Sequence, residues 1–142
     1  MFSSGHFHPM LVHFPIAIIT IGFLFDVVAM VYKKEPCLSK TGYWLGIIGM
    51  AGAIFAFGTG YFFTSPMEGE AGLIRERHEL FATLTLVTII LGALFRILIN
   101  YQGKEQSWLK YVSFSLFFLA FVFVSITGYL GGSLVIDYMI GL

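Results

Sequence analysis

The sequence predicts an all-α membrane protein, a four-transmembrane-helix bundle running up-down-up-down with both termini on the non-cytoplasmic side. Three observations predict it. The 142 residues are 58% hydrophobic and 11% charged, with a mean hydropathy of +0.87, whereas soluble domains are about one quarter charged. Four apolar stretches, roughly 11–32, 42–63, 80–99 and 111–136, reach the span length. A helix rising 1.5 Å per residue needs about 20 residues to cross the hydrocarbon. Basic residues are unevenly divided among the connections, and that division sets the orientation.

The first stretch is read as a permanent helix, because residues 1–10 carry no Lys or Arg and so lack the n-region of a cleavable leader. The second carries small residues at Gly42, Gly46, Gly49, Ala53, Ala56 and Gly60. That spacing of three to four lets backbones approach closely, within the bundle or across a homodimer. The third opens with the charged run EGEAGLIRERHE, which reads as a solvated loop and helix start. In the fourth, the Gly131-Gly132 pair is expected to end or bend the helix and to leave room for a flat ligand. Short connections make sequence neighbours pack antiparallel in one domain, residues 1–142. Lipid satisfies no open backbone, so strands are excluded from the spans.

Orientation follows from six basic residues on one face (Lys33, Lys34, Lys40, Arg96, Lys104 and Lys110) against Arg75 and Arg77 on the other. Tyr32, Tyr43, Trp44, Tyr101, Trp108 and Tyr111 form the matching aromatic belt. The expected localisation is the bacterial inner membrane, multi-pass. The lone Cys37 sits in a loop and has no cysteine to pair with. No Ser-His-Asp logic, phosphate loop or deaminase signature is present, and nothing points to nucleic acid.

The four histidines carry the functional signal. His6, His8 and His13 lie at the start of helix one and His78 at the start of helix three, so chain order alone brings them to one mouth of the bundle. His13 and His78 are the expected pair: imidazoles on parallel helices, able to ligate one iron porphyrin edge-on as a low-spin haem b. Phe7, Phe14, Phe62 and Phe81 suit a porphyrin face. His8 lies five residues from His13, about 140° around a helix. Pro9 disfavours helical geometry at His8, which places it on an approach segment. There it serves as substitute ligand, carboxylate partner or cap, while His6 is solvated. The competing reading is a Cu(I) site built from these histidines with Met10, Met67 and Met139, or a zinc site of histidine with carboxylate.

Asp26 and Arg96 lie at similar depth near the opposite end and are expected to form a structural ion pair. On straight helices Arg96 shares a face with His78, but Asp26 is about 140° from His13. Either helix one bends near Pro15 and Gly22, or the pair does not form and Arg96 reaches for the interface.

HPMLVHFPIAI at residues 8–18, Asp26, His78 and LGGSLV at residues 130–135 together resemble a bacterial family of small four-helix membrane proteins of unknown function. The resemblance covers nearly the whole chain. It implies histidines at one membrane face and a b-type haem or other redox role. The family pattern continues LVY-x-H-G, and here Tyr138 stands in the place of that histidine, so the chain either lacks that site or uses tyrosine, an uncommon ligand of ferric haem. The expected function is electron transfer between the quinol pool and a periplasmic cytochrome or redox complex, with lipid as the surrounding partner. The alternative is a non-enzymatic copper- or zinc-binding or structural accessory membrane subunit.

Overall fold

A computed structural model describes residues 7–102 and 107–139. His6 and Lys104, and the side chains of Phe7 and Met139, lie outside the described residues. Four helices follow one another: α1 (Phe7–Val31), α2 (Pro36–Phe63), α3 (Gly69–Gln102) and α4 (Ser107–Ser133). The last passes directly into a π-helical turn, Leu134–Met139. All four are long and apolar enough to cross a membrane, and no strand occurs among the described residues.

Each span lies where the apolar stretches put it, but the helices begin earlier. Residue α1 starts from is 7 rather than 11, α2 begins at 36 rather than 42, and α3 at 69 rather than 80. The reason is physical. Hydropathy marks the part of a helix that lies in hydrocarbon, whereas hydrogen bonding continues into polar turns beyond it. Pro36 opens α2 at its first positions, where its fixed φ suits a helix and its missing N–H costs nothing. The run expected to be largely loop, EGEAGLIRERHE, is the first part of α3. Gly69 starts that helix with φ +66, a conformation glycine adopts without a Cβ penalty. The Gly131-Gly132 pair does not break α4; the helix stays α through Ser133 and then widens.

α1 pairs closely with α2 and α3 with α4, and the two hairpins meet along a looser seam. α1 and α3 are therefore diagonal and parallel. The small-residue stripe of α2 is consumed inside this arrangement, since Gly42, Gly46, Gly49, Ala53, Ala56 and Thr59 are all buried. A Cβ at Gly46 would lie 2.6 Å from the Phe117 ring, and one at Gly92 would lie 3.1 Å from the same ring. Phe117, 1% exposed, thus fills a space that two glycine backbones leave between α2 and α3. Ile19, Phe23, Ala53, Ile89, Ala120 and Val124 complete the core. Phe23 stacks on Phe121 at 5.1 Å between centroids and lies 5.5 Å from Phe114. The outer faces carry large apolar residues such as Phe55, Leu94 and Phe118, all exposed, which lipid would cover. Of the expected belt, Tyr32, Trp44, Tyr101, Trp108 and Tyr111 are exposed at the end opposite the histidines.

Candidate functional site

The ring that faces His78 belongs to His8. Their centroids lie 6.3 Å apart with planes at 89°. His13, expected to be the partner, points outward and is exposed, and its Nδ1 donates to the Pro9 carbonyl one turn back at 2.7 Å. The correction has a simple cause. Pro9 lies in the first described turn of α1, where a proline is tolerated, so His8 is helical. The five-residue step then turns His13 about 140° away, onto the outer surface.

One step in the chain places His8. His8 and Asp26 are eighteen residues apart, as are His78 and Arg96 and also Gly42 and Gly60. Eighteen residues make five turns of about 3.6, a return to the same face about 27 Å further along. α1 therefore presents a histidine and a carboxylate inward at its two ends. α3 does the same with a histidine and a guanidinium. At the far end Arg96 grips Asp26 through both terminal guanidinium nitrogens, Nη1 and Nη2, with no bend of α1 required. Asp26 is 4% exposed. The guanidinium carbon lies 5.3 Å from the Phe117 ring centre, and Gly42 backs the carboxylate so closely that any Cβ there would collide with Oδ1.

At the histidine end, α2 and α4 supply the seats. His8 Nδ1 donates to Thr59 Oγ1 at 3.0 Å, and Thr59 spends its own proton on the Ala56 carbonyl at 2.8 Å. His78 Nδ1 donates to the Thr127 carbonyl at 3.0 Å. A carbonyl only accepts, and a hydroxyl whose proton is already given can only accept. Both rings are therefore held as the Nδ1–H tautomer, with the Nε2 lone pair free. The hydrogen bonds of both rings run through Nδ1, and the Ala56 carbonyl lies beside the His8 ring as well. Each ring lies against glycine backbone: a Cβ at Gly60 would stand 2.9 Å from His8 Cε1, and one at Gly131 would stand 3.1 Å from His78 Cε1.

The other expected participants are distributed around this pair. Gly131 backs His78, while a Cβ at Gly132 would meet open space. Tyr138 lies on the π-helical turn, which packs against α3. Among the described residues no group of three His, Cys, Asp or Glu side chains is gathered to hold a metal ion. Met10 is 68% exposed and does not join the pair.

Free Nε2 atoms on two rings set the ligand chemistry. An imidazole nitrogen binds a first-row metal at about 2.0–2.1 Å, and about 1.15 Å more reaches the ring centre, so trans ligation puts two ring centres about 6.4 Å apart. Tetrahedral ligation would bring them to about 5.2 Å. The observed separation is 6.3 Å. It lies equally inside the about 4.5–7 Å range of plain edge-to-face ring pairs.

A protein family described as "Predicted membrane protein (DUF2231)" matches residues 5–142. The chain belongs to this family. As a DUF2231 member with four spanning helices it is a multi-pass membrane protein. No curated protein and no solved structure matches the chain. Within this DUF2231 chain, the sequence signal that selects His8 over His13 is the eighteen-residue register with Asp26, matched by His78 with Arg96.

Proposed function

We propose that this protein is a membrane-embedded electron-transfer subunit in which His8 and His78 would hold a b-type haem. The ring separation of 6.3 Å, between imidazoles whose Nε2 lone pairs are both free, carries the reading. The haem supplies one-electron redox chemistry, and the chain supplies ligands, burial and hydrogen bonds that set the potential. The basic residues of the two connections at the opposite end support a non-cytoplasmic position for the histidine mouth. From there electrons from the quinol pool reach a periplasmic partner, in the bacterial inner membrane.

The visible spectrum of the detergent-purified chain tests this. A Soret band at one haem per chain, shifting on dithionite reduction, is the expected result. A colourless protein that takes up stoichiometric Cu(I) would replace haem with linear copper ligation, which soft monovalent copper suits. No chromophore and no metal would leave a structural accessory subunit.

The hydroxyl beneath His8 gives a sharper prediction. Thr59→Val leaves the fold intact but removes the acceptor that fixes the His8 tautomer. Loss of such an outer partner costs about 10–100-fold in metal-site affinity. Haem titration of the variant is expected to show a weakening in that range with an unchanged helical spectrum. An affinity equal to wild type would show that Thr59 does not orient the ligand.

A further inference from the structure

Arg75 stands at the rim of the histidine pair, and no carboxylate among the described residues comes within ion-pair distance of it. It lies one helical turn before His78 on α3, toward the mouth, at a spacing that puts the two side chains on neighbouring positions of one face. It is half-buried. Its guanidinium donates to Thr64 Oγ1 across the α2–α3 seam at 3.4 Å. Thr64 in turn donates to the Gly60 carbonyl, the backbone on which the His8 ring rests. Arg75 therefore bridges the last turn of α2, which backs one imidazole, and the first turns of α3, which carry the other. Among the described residues the ion pairs consist of Asp26 with Arg96, and Arg75 has none. A long, weak bond to one hydroxyl leaves most of a five-donor fork unused.

We infer that Arg75 is the anion anchor of this site, receiving a carboxylate on the mouth-side edge of the ligand held between His8 and His78, that is, a haem propionate. The inference rests on the haem reading above. A porphyrin of the b type bears its two carboxylates on one edge, and ionised carboxylates are costly at membrane depth. That edge therefore turns to the mouth, where Arg75 projects. A guanidinium matches a carboxylate with two parallel donors, and the paired charges strengthen the bonds.

Titrating the full-length detergent-solubilised protein with haemin and, separately, with haemin dimethyl ester separates the two readings. The wild type is expected to prefer haemin by about tenfold, the scale of one charge-assisted hydrogen bond. Arg75→Gln is expected to lose that preference by weakening haemin alone, and Arg75→Lys to keep part of it. Arg77→Gln, at an exposed neighbour, keeps the wild-type preference. Circular dichroism confirms that each variant is folded. An Arg75→Gln protein that still prefers haemin tenfold, or that weakens equally toward both probes, overturns the anchor while the two-histidine site stands. Uptake of neither probe by the wild type overturns the haem reading and the anchor with it.

Discussion

His8→Ala and His78→Ala are each expected to abolish haem retention, while His13→Ala keeps it. The difference comes from where the helix turns the rings. His8 and His78 meet inside the bundle with free Nε2 atoms, whereas His13 is exposed and bonded to its own backbone. Loss of an axial ligand exceeds the about 10–100-fold that an outer partner is worth, so the Soret band of the purified variants falls to background. Misfolding does not confound the result. Removing the His8 ring leaves Thr59 still bonded to Ala56, and removing the His78 ring frees a carbonyl within α4, so no buried group loses its sole partner. A His13→Ala protein lacking the Soret band, beside a His8→Ala protein retaining it, would reverse the assignment.

Asp26→Ala carries the largest expected loss of stability. It strands the Arg96 guanidinium inside the bundle with only the Phe117 face beside it. Removing one partner of a buried pair costs about 3–5 kcal/mol, and a lone charge at membrane depth is disfavoured on its own account. Replacing both members by apolar residues, Asp26→Leu with Arg96→Met, is expected to be close to neutral. Gly42→Ala drives a methyl into the carboxylate and is expected to cost about 1–3 kcal/mol by overpacking. In an Asp26→Ala background most of that cost vanishes, because the two sites share one contact. Thermal unfolding in detergent reads all four. An Asp26→Ala Tm equal to wild type would mean that the pair ties nothing together.

The spans were legible because lipid imposes a length and a composition on whatever crosses it. Helix ends were less so, because the charged residues from Glu68 to Glu79 hide from hydropathy a helix that starts at Gly69. Convergence of the histidines followed from chain order alone. The choice between His8 and His13 depended on reading Pro9, and proline is ambiguous there: it disfavours helix at the preceding residue but is welcome in a first turn. Register would have decided it, since a histidine eighteen residues from Asp26 matches one eighteen residues from Arg96. Thr59, Thr127 and Gly60 were not identified as supports for the rings. Their roles depend on which neighbour each meets across α2 and α4, and local sequence does not specify that.

Electron paramagnetic resonance of the oxidised, haem-loaded wild type tests most directly whether two imidazoles from diagonal helices grip one iron. Two strong nitrogen ligands predict a low-spin ferric signal. A high-spin signal, or a low-spin one that persists when position 8 is alanine, would contradict it.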